Sequence, residues 1–468
     1  MNKLPYIVAL EIGSSKIVGA IASVSPRGTV SVLALEEEPS HESVRYGCIK
    51  NLEDTANKVA DIIAKLETKA QVTPQSVKSV FTGQSGRSLH SETRKTSMPL
   101  TDGEPVSADI IERMKHDVTF EKSINGMEIL DIVPSRFMVD NMESIKPVGS
   151  VGNKIDGEFT VILGKEQLRA NLRRVLSDRN GLEIKGNNIT ILAEAQQVLT
   201  AEERRLGALL VNVGAETTTV VIYKKGAPVY IYTMPIGSRN ITRDITSLNI
   251  LEENAEDIKK SIGNAKEVAT LAELKLNGGI KAIDAGNLIV ARAGEIVANI
   301  YAQLEAAGLT IADIPEGVIV TGGGANLKNF VELISEHFGV KARLGNLANK
   351  DLKVAEPVAA NTKKVAEGSY KKVTEADLRN PAHMSILSIL LEAASKLKPG
   401  ESCCQDSVNV AEATPEVPVA AKTPVKQPDK EIKKKTKENK PNPFTKFFNK
   451  VKNLADSAFE DEKDDEDE

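Results

Sequence analysis

Two stretches, one in each half of the chain, repeat a single device. Tyr6–Glu11 is a short apolar strand, Gly13-Ser14-Ser15 makes a turn, and Ile17–Ala22 is a second strand. Ala208–Val213, a turn at Gly214-Ala215-Glu216-Thr217 and Thr218–Tyr223 follow the same plan, with Val229–Met234 as a further strand. Such an echo implies a duplicated fold of two β-rich halves built alike. Helical spacing lies between them: Leu52, Val59, Ile62, Ile63 and Leu66 share one face of a helix over Asn51–Thr68. Alternating strands and helices place the chain in the α/β class.

Further strands are expected at Thr29–Leu35, Val77–Thr82 and Gly317–Val320. Further helices are expected at Glu166–Arg179, Ile289–Ala307, Leu327–Phe338 and Pro381–Ser395. From Gly86 to Gly164 the pattern changes to short strands, including Glu128–Pro134 and Phe159–Leu163, with a helix at Ser107–Phe120. That stretch predicts an inserted α/β subdomain. From about Lys396 to Lys440 the chain is rich in Pro, Lys, Glu, Ser and Val without periodicity, the signature of a disordered linker. A coil of that length spans roughly 35–40 Å.

The 468 residues exceed one compact unit. The net charge of −5 leaves no footprint for nucleic acid over the whole molecule. Cys48, Cys403 and Cys404 form neither a disulfide framework nor a metal-ligand spacing. They are expected to be incidental and fit a reducing cytoplasm. The opening MNKLPYIVALEIG lacks the apolar core of a signal peptide. No apolar run approaches the ~20 residues of a membrane-spanning helix, so any membrane contact is expected to be peripheral.

Three glycine turns carry the chemistry. Leu10-Glu11-Ile12-Gly13-Ser14-Ser15-Lys16 ends a strand in a tight hairpin whose backbone N–H groups can approach a phosphate, with Glu11 near a metal and its water. Val211-Asn212-Val213-Gly214-Ala215-Glu216-Thr217 repeats the device. Val320-Thr321-Gly322-Gly323-Gly324-Ala325-Asn326-Leu327 ends a strand in three glycines before a helix, suited to the inner phosphates or ribose. One such turn is commonplace. Three in this order match the phosphate-1, phosphate-2 and adenosine motifs, and the chain resembles the actin/hexokinase/DnaK superfamily.

Four stretches narrow the resemblance to the FtsA family of cell division proteins. They are Glu128–Pro134 with Phe137, Val139, Asp140 and Ile145–Gly149; Ile191–Thr200 with Glu202, Glu203 and Gly207; Asn240–Ile245 with Ala255–Lys259; and Asn380–Leu391. The resemblance implies an actin-like ATPase fold of two duplicated lobes with an FtsA-type insertion. Subdomain 1A would comprise 1–86, 166–200 and the closing helix 380–397, with subdomain 1C inserted at 87–165. Subdomain 2A would comprise 201–236 and 309–379, and 2B would be 237–308. A disordered linker would cover 398–441, an amphipathic helix 442–459 and an acidic tail 460–468. The implied ligands are ATP and Mg²⁺. Gly13, Ser14, Ser15, Gly214, Ala215, Glu216 and Thr217 would clamp the phosphates, and Lys16 would offset their charge. Glu256 and Lys259 would contact ribose or base, and Gly322, Gly323 and Gly324 the adenosine side. Both phosphate motifs in the family usually carry aspartate, whereas this chain has Glu11 and Asn212. Asn212 cannot ionise, and Glu11 displaces its carboxylate by about 1 Å, an offset that can cost ~10²-fold. Binding with slow or absent hydrolysis is the expectation. Glu11 and Glu194 are the catalytic candidates, and Glu11 is the candidate for Mg²⁺ through water. Glu194 or Gln196 is a candidate to position a water, against a reading in which their helix is only packed.

Near the end, Asn442-Pro443 is a good helix start. Phe444, Phe447, Phe448, Val451, Leu454, Ala455, Ala458 and Phe459 then fall on one stripe about 140° wide. Lys450 and Lys452 flank it and Lys446 lies on the polar side. This segment is expected to enter the headgroup boundary of an anionic phospholipid membrane, against docking on the folded body. The acidic run Glu460–Glu468 opposes anionic lipid. The Lys433–Lys440 run lacks the aromatics of a nucleic-acid site and reads as solvated linker. By resemblance, subdomain 2B binds the C-terminal peptide of FtsZ, with Arg292 the candidate contact. Subdomain 1C implies self-association into filaments, and other divisome proteins are implied partners. The expected location is peripheral, on the cytoplasmic side of the inner membrane at the division site. A DnaK-type ATPase, a sugar kinase and a pilus-assembly homologue are the alternatives.

Overall fold

The computed structural model describes residues 4–405 except 102, 104, 120–125, 145, 269–273, 277–278, 348–350, 356–371 and 399. The expected linker beyond 405, the amphipathic helix with all its membrane-facing residues and the acidic end lie outside the described residues.

The first lobe opens with β1 (Tyr6–Ile12), β2 (Lys16–Val24) and β3 (Val30–Pro39), then β4 (Val44–Arg45), β5 (Cys48–Ile49), helix α1 (Leu52–Ala70) and β6 (Ser79–Gln84). An insertion follows as β7 (His90–Pro99), α2 (Ala108–Thr119), β8 (Met127–Val139), β9 (Met142–Ser144) and β10 (Lys154–Lys165). The chain returns through α3 (Glu166–Arg173), β11 (Glu183–Ile189), α4 (Thr190–Val198) and α5 (Ala201–Leu206). The second lobe holds β12 (Ala208–Val213), β13 (Thr218–Lys224), β14 (Ala227–Met234), α6 (Ser238–Thr246), α7 (Glu252–Ile262), β15 (Lys275–Leu276) and β16 (Ile280–Lys281). It continues with α8 (Ala282–Ala306), β17 (Val318–Thr321), α9 (Phe330–Phe338) and β18 (Ala342–Leu344). Finally β19 (Leu352–Val354), α10 (Glu375–Arg379) and α11 (Met384–Lys396) lead back to the first lobe.

The duplication is visible in the topology. The first sheet has the order β11-β6-β1-β2-β3-β19, and the second begins β18-β17-β12-β13-β14. In each, an antiparallel three-stranded meander is flanked by a strand parallel to its first member. Nearly all of β1 and β12 is buried, because helices cover both faces of a central strand there. The second sheet runs on into the insertion through one rung, Tyr232 opposite His90, and ends β7-β10-β8-β9. The insertion keeps its own core, with Phe137 and Phe159 edge to face at 5.7 Å.

Three expectations change. The helix expected over Glu166–Arg179 is α only to Arg173 and closes with a π turn at Arg174–Arg179. The helix expected from Leu327 begins at Phe330, because Asn329 is left-handed at φ 60°. The first residues of the linker expected from 398 are instead bonded to the first lobe. Cys403 N–H donates to Tyr6 O at 2.8 Å, and its carbonyl accepts from Lys78 and Ser79 N–H. Cys404 bridges Val77. Cys403 and Cys404 are buried in the first lobe's core, where they pack as small apolar side chains.

Candidate functional site

The turns at the ends of β1, β12 and β17 line one cleft of about 1190 Å³ between the lobes. Strand order explains the placement. β1 and β12 are central strands whose carboxyl ends face each other, and each passes into a hairpin. Gly13 N–H donates to Lys16 O at 3.0 Å, and Gly214 N–H donates to Thr217 O at 2.8 Å. A Cβ at either glycine would sit 2.9 Å from that carbonyl, which only glycine avoids. Gly13, Ser14, Ser15, Lys16, Gly214, Ala215, Thr217, Gly322, Gly323 and Gly324 all line the cleft, as do Glu256 and Lys259.

Glu11 and Glu194 stand at its floor. Glu194 is fully buried and held by three donors: Asn212 Nδ2 at 2.5 Å and Ser385 Oγ at 2.5 Å on Oε1, and Thr321 Oγ1 at 2.6 Å on Oε2. Asn212 Nδ2 also donates to Ser385 Oγ at 3.0 Å. Burial raises the Glu194 pKa against these hydrogen bonds. Burial and the neighbouring Glu194 push Glu11 up to about 7, opposed by Lys16. The α4 helix is thus packed and also presents a carboxylate to the cleft. Gln196 is exposed and lies outside the cleft lining, so the water-positioning candidate is Glu194 alone.

Lys16 Nζ lies 2.5 Å from Glu37, whose Oε1 also meets His383 Nε2 at 2.8 Å. Burial works against the Glu37 carboxylate, but hydrogen bonds from His383 and Lys16 outweigh it and hold the group at about 2. On the other wall Glu256 Oε2 accepts from Lys259 Nζ at 2.6 Å and Thr242 Oγ1 at 2.6 Å. Lys259, the more buried partner, is pushed down by burial while its charge holds Glu256 low.

Glu216 does not face the cleft. Its side chain is fully buried behind the second hairpin among Arg45, Arg239 and Arg243. A carboxylate pointing into the cleft would repel phosphate, and three guanidinium groups draw it the other way. Arg292 Nε lies 2.6 Å from Asp244 and its Nη1 2.5 Å from Glu295, with the side chain 25% exposed. Sequence reasoning missed Gln84, Thr190 and Ser385, which also line the cleft. No spacing signals them, because each reaches the floor only through tertiary packing. Gln84 Nε2 and Thr190 Oγ1 are buried with no hydrogen-bond partner among the described residues. No helix among the described residues is long and apolar enough to cross a membrane.

A family model described as cell division protein FtsA matches residues 209–386, and one described as the SHS2 domain inserted in FtsA matches residues 86–163. Cell division protein FtsA of Porphyromonas gingivalis is 30% identical over 353 residues, 72% of each chain. That of Pseudomonas aeruginosa is 26% identical over 429 residues, covering 88% of this chain and 95% of the relative. Among solved structures, the PilM–PilN type IV pilus biogenesis complex contains a chain that superposes with a TM-score of 0.59 at 18% identity, over 83% of this chain and 98% of that one. This second likeness is one of fold. The relatives together with the inserted domain show that the chain belongs to the FtsA family of actin-like cell division proteins.

Proposed function

We propose that the cleft binds ATP with Mg²⁺, hydrolyses it slowly or not at all, and that the chain ties the FtsZ ring to the inner face of the cytoplasmic membrane. One observation carries the nucleotide reading: three glycine turns from both lobes converge on a single cleft. The Gly13 and Gly214 N–H groups close the hairpins, which leaves the turn N–H groups after them, Ser14–Ser15 and Ala215–Thr217, to suit the phosphates, and Gly322–Gly324 the adenosine side. The unpartnered donors on Gln84 and Thr190 fit a polar ligand or its water. The oxygen donors of Glu11, Glu194 and Asn212 fit a hard divalent cation, whose charge would offset the crowding of the two carboxylates. Such a cation would neutralise phosphate charge, while Glu194 holds Asn212 in place. Slow hydrolysis follows from Asn212, which cannot ionise.

The partner roles rest on family membership. The FtsZ C-terminal peptide is proposed to meet subdomain 2B near Arg292, with a peptide carboxylate replacing Glu295. The lipid anchor is proposed for 442–459 and filament contacts for the insertion. The location is proposed as the cytoplasmic side of the inner membrane at the division site. A fluorescent ATP analogue and phosphate release from purified full-length protein test the central claim. Saturable, Mg²⁺-dependent binding with turnover far below 1 s⁻¹ is expected. Turnover on the order of 1 s⁻¹ contradicts the slow-hydrolysis reading.

A further inference from the structure

The two hairpins belong to different lobes, and one short turn touches both. β4 and β5 pair over two rungs, and the turn between them, Tyr46–Gly47, has φ of 52° and 68°. Two left-handed residues in succession are the backbone of a tight two-residue hairpin. Gly47 N–H donates to Ser14 Oγ at 2.8 Å in the first phosphate hairpin. The adjacent Tyr46 N–H donates to Glu216 Oε2 at 2.7 Å in the second.

Arg45 strengthens the second contact, with Nε 2.9 Å and 3.2 Å from the two Glu216 oxygens. From the second lobe Arg243 Nη2 reaches the same carboxylate at 2.8 Å and Arg239 Nη1 at 3.5 Å. Arg45 also meets Glu42 at 2.5 Å, and Arg239 meets Glu252 at 2.5 Å, so three guanidiniums face three carboxylates. Glu216 holds the position in the second hairpin that Ser15 holds in the first. The second turn therefore carries a carboxylate where the first carries a hydroxyl, and that carboxylate crosses between lobes. A fully buried carboxylate persists only when paired, and Glu216 is paired from both sides.

We propose that Glu216 and the Arg45–Tyr46–Gly47 turn form an interlobe latch that holds the two phosphate hairpins at their working separation. Glu216 is a positioning residue: it acts on the ligand through the hairpin backbone. Opening the cleft breaks its bonds to Arg45 and Tyr46, while Arg243 and Arg239 keep it with the second lobe. Ligand release is then tied to breaking the latch, a consequence that rests on the nucleotide reading above.

The test uses full-length Arg45→Gln, Arg45→Lys and Glu216→Gln. In ligand-free protein, hydrogen exchange at residues 44–49 and 214–217 should accelerate at least tenfold in Arg45→Gln and Glu216→Gln, with β6 unchanged. The off-rate of a fluorescent ATP analogue should rise about tenfold in both, with Arg45→Lys intermediate. A merely structural Glu216 would lower thermal stability and leave the off-rate alone. Wild-type exchange in the folded Arg45→Gln protein overturns the latch, and so does a wild-type off-rate beside faster exchange. Arg45→Gln carries the test if Glu216→Gln does not fold. A wild-type protein that binds no nucleotide removes the ATP reading, and exchange alone then decides the latch.

Discussion

Glu11, next to last in β1, carries a carboxylate that burial and Glu194 push from 4.5 up to about 7. The sign of its effect on stability follows. Below pH 4.5 the group is protonated in both states. Between 4.5 and 7 the unfolded chain loses the proton and the folded one keeps it, so stability falls as pH rises. Above 7 both states are ionised and the loss is constant, on the order of 3 kcal/mol at most. Glu11→Gln removes this dependence. Urea unfolding without divalent cation should show the variant gaining on wild type from pH 5 to 7, then a constant gap. A gap independent of pH across that window refutes the assignment. The residues also show what the sequence hid. Glu11, Lys16 and the glycines were legible because hairpin chemistry is local. Glu216 was misplaced because its partner Arg45 stands 171 residues away. Ser385 was invisible for the same reason, since it meets Asn212 across 173 residues.

At the scale of elements, strands with continuous apolar runs were legible and polar ones were not. β1 and β12 read directly from their composition. β7 (His90–Pro99) is almost entirely polar, yet it pairs along its length with β10 and joins the insertion to the second sheet. β11 contains Gly186, Asn187 and Asn188 and shows no periodicity, yet it completes the first sheet beside β6. Both are held by ladder hydrogen bonds, which leave no trace in side-chain pattern. The turn after β17 gives an element-level test. Gly322 has φ 85° and ψ 165°, a region closed to side chains, and a Cβ would lie 2.5 Å from Val213 O. A Cβ on Gly323 would meet nothing closer than 3.9 Å. Gly322→Ala should lose about 1–3 kcal/mol of stability. It should also weaken nucleotide binding, because the strained turn lies against β12. Gly323→Ala should keep wild-type stability in the same denaturation assay. Equal losses in the two variants would show that the turn is not the constraint.

For the whole molecule, the last described residues bind to the first lobe. Residues 402–405 are stitched to the amino ends of β1 and β6: Tyr6 N–H donates to Ser402 Oγ at 3.1 Å, and Gln405 N–H donates to Ser76 O at 3.0 Å. The carboxyl end of β1 reaches the cleft, so residues 402–405 lie at the far end of the same strand. A seven-residue strand separates the two by roughly 20 Å. A tether leaving there would not cross the cleft entrance, which suits the anchor proposed for residues beyond 405. Two truncations separate body from anchor. Ending the chain after Gln405 should keep the thermal midpoint of the full-length protein and abolish flotation with anionic vesicles. Ending it after Leu397 also strips Cys403 and Cys404 from the core and orphans the N–H of buried Ser79. That version should lose several kcal/mol, about 1–3 from the unmet Ser79 N–H and the rest from the two core side chains removed. Flotation that survives the first truncation would place the lipid contact on the folded body. Equal midpoints for the two truncations would show that residues 398–405 contribute nothing to it.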